Sequence, residues 1–130
     1  MRVAKDLVAA SATPMVLGIL ADGDSYGYAI LRRISELSGG ELEWTEGLLY
    51  PLLHRLERLG WVESSWQAVA GERRRKYYRI TGKGRAELVE QRRQWDTVVD
   101  ALEEVWLSRG DRRPLLAMPV TRLVPVGCAA

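Results

Sequence analysis

The residues most able to do chemistry form a cationic run. Arg73, Arg74, Arg75, Lys76, Arg79, Lys83 and Arg85 lie between positions 73 and 85 with no acidic residue among them, and guanidinium and ammonium groups at that density neutralise phosphate. Charge runs taken alone are most often solvated loops. The formal net charge of the 130-residue chain is only +2, so the placement of the run has to carry the argument. Covalent chemistry has little to work with. His54 is the sole histidine and Cys128 the sole cysteine, which leaves a metal site or a serine-type triad without its usual partners. No catalytic residue, metal or cofactor is expected, and the chain reads as a non-enzyme. A lone thiol has no internal disulfide partner and suits a reducing compartment. The N-terminal MRVAKDLVAA lacks the apolar stretch of a signal peptide, and no apolar run approaches the ~18 to 20 residues that span a bilayer. A cytoplasmic protein without membrane contact is the expectation.

Positioning the run falls to a series of helices and a hairpin. The length, with 47% hydrophobic residues, allows one core with appendages. Thr13 and Pro14 suit the cap and first position of a helix running to about Asp22, and Gly23-Asp24-Ser25 is turn chemistry. Gly27, Ile30, Leu31, Ile34 and Leu37 then recur at helical spacing until Gly39-Gly40. A third helix is predicted over residues 45–60, capped by Thr45, with Leu49, Leu52, Leu53, Leu56 and Leu59 as its apolar stripe. Pro51 within it predicts an irregular or kinked first turn. Residues 61–66 and 76–80 are rich in strand formers and flank a polar loop with Gly71, which predicts a two-stranded hairpin. From Thr81 the pattern is helical again to about residue 108, with Leu88, Trp95 and Leu102 spaced seven apart. Pro114, Pro119 and Pro125 forbid a long helix after that.

Three short helices and a hairpin make a winged helix-turn-helix. The expected class is mainly α (α+β), with a two-stranded wing and a long C-terminal dimerisation helix. Residues 6–80 are assigned to a DNA-binding domain, 81–109 to the dimerisation helix and 110–130 to a flexible, proline-containing tail. In such a fold one helix enters the major groove while the wing grips the backbone. With the leucine stripe turned inward, a step of 100° per residue puts Gly47, Pro51, His54 and Arg58 on the opposite face of the third helix, flanked by Tyr50 and Arg55. Thr45, Glu46, Gly47, Tyr50, His54 and Arg55 are therefore candidate DNA contacts on the helix, and Arg73, Arg74, Arg75 and Lys76 on the wing. Tyr77 and Tyr78 alternate across a strand, so one belongs to the core. The other reading of the same surface is a winged-helix protein-interaction module without specific DNA binding.

The fourth helix argues for a partner. At 1.5 Å per residue it is about 40 Å long, too long to bury the Leu88, Trp95 and Leu102 stripe on so small a domain. A homodimer covers it, with Leu88, Trp95, Val99, Leu102 and Trp106 as the seam. Two recognition helices related by a two-fold axis would read an inverted-repeat operator in double-stranded DNA.

Three ordered blocks carry a resemblance. Tyr26-Gly27-Tyr28-Ala29-Ile30, the stretch from Thr45 through Glu57 and the stretch from Arg75 through Gly84 resemble the PadR family of bacterial transcriptional regulators, over roughly residues 6 to 108. The resemblance also accounts for Pro51, which follows a tyrosine at the start of the family's recognition helix. Leu48 departs from it, standing where the family more often has threonine. What the resemblance implies is a dimer, usually a repressor, of the subgroup with a short C-terminal arm. In some such members a tryptophan of the C-terminal helix lines a pore that binds flat, hydrophobic drugs. Trp95 stands in a similar place, so Trp95, Val98, Val99 and Leu102 are the candidate lining for a planar hydrophobic effector.

Overall fold

A computed structural model describes residues 3–68 and 73–108. The expected tail after residue 109 lies outside the described residues. By compactness the chain falls into two units, residues 1–93 and 94–130, and the described part of the second is the continuing helix to Ser108.

The first helix, α1, is Lys5–Ala21, which corrects the expected start at Thr13-Pro14. Ala4 precedes it without a side-chain cap bond, and Pro14 lies inside the helix. Before Pro14, Ala12 is buried and Val8 packs against the core, and tertiary packing of this kind carries a helix through the bond that proline removes. Its buried side chains are Ala12, Val16, Leu17 and Leu20. Ser25–Tyr26 forms a short strand, β1, where the sequence pattern predicted only a turn at Ser25. It leads directly into α2, Gly27–Leu37, which buries Gly27, Ile30 and Ile34.

The third helix, α3, is Glu46–Arg58. Thr45 caps it, its hydroxyl accepting from the Leu48 N–H at 3.3 Å, and the helix continues through Pro51. Leu49, Leu52, Leu53 and Leu56 are buried as expected, but Leu59 is the C-cap and is 41% exposed. The stripe ends there because Gly60, at a φ of 80°, reverses the chain. Its N–H bonds to the Glu57 carbonyl and that of Trp61 to the Leu56 carbonyl, the paired bonds of a glycine-terminated helix.

Strands β2, Val62–Ala68, and β3, Arg74–Ile80, form the predicted hairpin, but β3 is central. The sheet order is β1-β3-β2, with Ser25 and Tyr26 paired to Tyr78 and Tyr77 on the far edge. Val62, Tyr78 and Ile80 are buried at 2%, 1% and 4% exposure, so the inner face of the wing closes the same core as the helices. Tyr78 is thus the core tyrosine of the pair, as strand alternation required.

The last helix, α4, is Gly82–Ser108. The Thr81 hydroxyl accepts from the Gly84 N–H at 3.0 Å and donates to the Gly60 carbonyl at 2.7 Å, while the Thr81 N–H donates to the Trp61 carbonyl. One residue therefore caps α4 and ties it to the turn that ends α3. Gly84 is buried, and a Cβ there would collide with the Trp61 carbonyl. Leu88, one turn on, is half-buried against the core.

Candidate nucleic-acid interface

Two surfaces of the first unit meet along one cleft. One is the outward face of α3, where Gly47, Pro51, His54 and Arg58 are all exposed. The other is the wing. A cleft of about 450 Å³ lies between them, lined by Tyr26, Gly27, Tyr28, Tyr50, His54, Trp66, Tyr78 and the run from Arg73 to Lys76. Of the ten residues expected to touch DNA, the fold brings Tyr50, His54, Arg73, Arg74, Arg75 and Lys76 into this one cleft.

The other four lie nearby or elsewhere. Thr45, Glu46 and Gly47 form the exposed first turn of α3, with the Thr45 side chain engaged as the cap. Arg55 is exposed but reaches across to α1, its guanidinium donating to Thr13 Oγ1 at 3.4 Å. Tyr50 shares the cleft with the cations of the wing. It is half-buried against the core, and its ring lies over Gly27, where a Cβ would overlap the hydroxyl. A side chain larger than hydrogen at position 27 would push Tyr50 out of that seat.

Gly47 differs from these packed glycines. A Cβ built there meets nothing nearer than Thr45 Oγ1, at 3.6 Å, and its φ is not among the positive ones. The fold does not require glycine at that position, although glycine costs a helix up to about 1 kcal/mol relative to alanine. An absent side chain on the exposed first turn of α3 lets another surface approach the backbone closely.

The cations of the wing are held by aromatic rings. Arg75 lies 4.4 Å from the centroid of Tyr26, Arg74 5.7 Å from that of Trp66, and Lys76 5.7 Å from that of Tyr78. Tyr26 in turn meets Tyr77 edge-on at 5.3 Å. Cation–π contacts orient a guanidinium without cancelling its charge. None of the four cations pairs with a carboxylate among the described residues; the ion pair of Arg79 with Glu63, at 3.6 Å, lies further along the hairpin. The angle of the wing is fixed at its base, where Ser64 Oγ donates to Glu57 Oε2 at 2.7 Å. Burial pushes the Tyr78 phenol above its ordinary pKa of 10.0, and the neighbouring Glu57 carboxylate and Tyr50 add to the rise.

Sequence reasoning missed the aromatic part of this surface. Tyr26, Tyr28 and Trp66 line the cleft but were expected only as motif or strand residues. The alternation Val62, Ser64, Trp66 was the available signal, since it places Trp66 on the inward face. Among the described residues there is no group of three His, Cys, Asp or Glu able to hold a metal, and no helix long and apolar enough to cross a membrane.

On α4, Leu88, Trp95, Val99, Leu102 and Trp106 fall within about 60° of one another at 100° per residue. Trp95 and Val99 are half-buried, while Val98, Leu102 and Trp106 are 51%, 42% and 42% exposed.

Comparison with known proteins agrees with this architecture. Residues 16–90 match the family described as the transcriptional regulator PadR-like family. An uncharacterized protein of Lysinibacillus sphaericus is 31% identical over 101 residues, 78% of this chain and 93% of its own length. Transcriptional regulator Rv3488 of Mycobacterium tuberculosis is 40% identical over 90 residues, 69% of this chain and 74% of that protein. Among solved structures, a transcriptional regulator of Clostridium thermocellum superposes with a TM-score of 0.72 at 27% identity, covering 78% of this chain and 96% of the other. A PadR family regulator of Eggerthella lenta gives a TM-score of 0.67 at 30% identity, covering 77% and 85%. The chain belongs to the PadR-like family of transcriptional regulators.

Proposed function

We propose that this regulator is a sequence-specific repressor that binds an inverted-repeat operator as a cytoplasmic homodimer and is released by a small-molecule effector. The observation that carries the DNA reading is the shared cleft, which sets Tyr50 and His54 of α3 opposite four cations that pair with no carboxylate among the described residues. In this reading residues 6–80 bind DNA, with the first turn of α3 at Thr45, Glu46 and Gly47 entering the major groove. His54 reaches a base edge or a phosphate, and Arg55 the flanking backbone. Arg73, Arg74, Arg75 and Lys76 hold phosphates, and Tyr50 sets the floor of the groove.

Residues 81–109 supply the dimer seam. The apolar stripe of α4 leaves Leu102 and Trp106 substantially exposed, and a second copy of the helix would cover them. Release would follow if a planar hydrophobic compound occupied the seam at Trp95, Val98, Val99 and Leu102. Quenching of tryptophan fluorescence by such compounds, lost in Trp95→Ala, supports that site; equal quenching in the variant removes it.

The decisive experiment is footprinting and gel shift on DNA upstream of the chain's own coding sequence. A protected, two-fold symmetric site is expected, with binding lost on Arg73-Arg74-Arg75→Ala. No binding by the intact protein overturns the reading.

A further inference from the structure

The indole of Trp66 occupies an unusual place on the wing. In the hairpin register Val62 faces Ile80, Ser64 faces Tyr78 and Trp66 faces Lys76, so these side chains share one face of the sheet. That face is core at its base, where Val62, Ile80 and Tyr78 are almost fully buried. Two residues further out it carries a tryptophan that is 58% exposed. Single exposed apolar residues are ordinary. This one differs because it sits on the inward face and lines the cationic cleft with Tyr50 and His54, with Arg74 held over its ring at 5.7 Å.

A flat apolar plate beside cations that pair with no carboxylate among the described residues, across a cleft from His54 of α3, matches the chemistry of a sugar–phosphate strand, whose deoxyribose faces are apolar and whose phosphates are anionic. We propose that Trp66 is a direct contact to duplex DNA, packing on the deoxyribose of the strand that runs between α3 and the wing while Arg74 engages the adjoining phosphate. This rests on the DNA-binding reading above. It adds an apolar contribution to affinity that releases no counterions and so does not depend on salt.

The test is anisotropy of a labelled duplex from the upstream region, titrated at several salt concentrations with the wild type, Trp66→Ala, Trp66→Phe and Arg74→Ala. Trp66→Ala should bind about tenfold more weakly at every salt concentration with an unchanged slope of log K against log salt, and Trp66→Phe should keep most of the affinity. Arg74→Ala should make the slope shallower by about 0.9. Wild-type affinity in Trp66→Ala overturns the proposal, as does a loss that comes with a shallower slope, which would mean that Trp66 serves only to hold Arg74. Binding by no protein, the wild type included, fails the DNA reading instead, and so the two failures are distinguishable. Should Trp66→Ala not fold, the unmutated sequence labelled with 5-fluorotryptophan decides. The fluorine resonance assigned by Trp66→Phe should shift when duplex is added, and an unmoved resonance overturns the contact.

Discussion

The Tyr50 ring rests on the α-carbon of Gly27, so that a Cβ at position 27 would overlap the hydroxyl and come within 2.7 Å of Cζ. The contact joins the first residue of α2 to the middle of α3 and fixes the floor of the cleft. Gly27→Ala is expected to cost about 1–3 kcal/mol, as overpacking does, and to weaken DNA binding by displacing Tyr50. Adding Tyr50→Ala should relieve the overlap. A double-mutant cycle in urea should then show a favourable coupling of about 1 kcal/mol or more, whereas strict additivity would mean that the contact does not set the spacing.

Gly84 presents a harder obstacle, because its neighbour is the Trp61 backbone carbonyl and not the end of a side chain. Gly84→Ala must shift the start of α4, and a loss at or above the upper end of the usual overpacking range, about 3 kcal/mol, is expected. Thr81→Val should cost about 1 kcal/mol for the lost cap, with little added by the Gly60 carbonyl, which is exposed and bonds to water instead. Urea denaturation of both variants checks this. Near-wild-type midpoints would show that the clasp is dispensable.

The helices and hairpin were legible because their signals are local: leucine periodicity in α3, a threonine cap, strand formers on both sides of a loop. Three features were not. The start of α1 was hidden because Pro14 reads locally as a first-turn residue, and only the packing of Val8 and Ala12 against the core reveals a longer helix. Strand β1 is two residues long and exists through its pairing with Tyr77 and Tyr78, which sequence spacing does not encode. The seating of Tyr50 over Gly27 joins positions 23 apart in the chain, a contact that helical periodicity does not encode. The cationic half of the cleft was visible as composition. Its aromatic half required the register of the hairpin.

The phenol of Tyr78 makes stability sensitive to alkaline pH. Burial, then Glu57 and Tyr50, raise its pKa in the folded state above 10.0, while Lys76 lies over the ring. As pH rises past about 10 the unfolded chain releases this proton and the folded chain retains it. The unfolded state then binds fewer protons, so stability falls from about pH 10 up through the folded pKa, and it is unaffected below that window. Thermal melts of wild type and Tyr78→Phe should run parallel from neutral pH to about 10, with the wild type falling away more steeply above it. Parallel curves throughout would remove Tyr78 as the cause.

Gly47→Ala should separate stability from function. The position is exposed in the first turn of α3, a methyl group fits, and the nearest atom is Thr45 Oγ1 at 3.6 Å. Alanine is the better helix former, so the variant should gain up to about 1 kcal/mol. If the first turn enters the major groove, the same methyl group stands between the helix backbone and the DNA, and affinity for the footprinted site should fall by about tenfold despite the more stable fold. Measuring a urea midpoint and a duplex titration on the same protein gives both signs. A variant that is more stable and binds equally well would show that glycine is not kept there for close approach to DNA, and the docking of α3 would have to be turned toward His54.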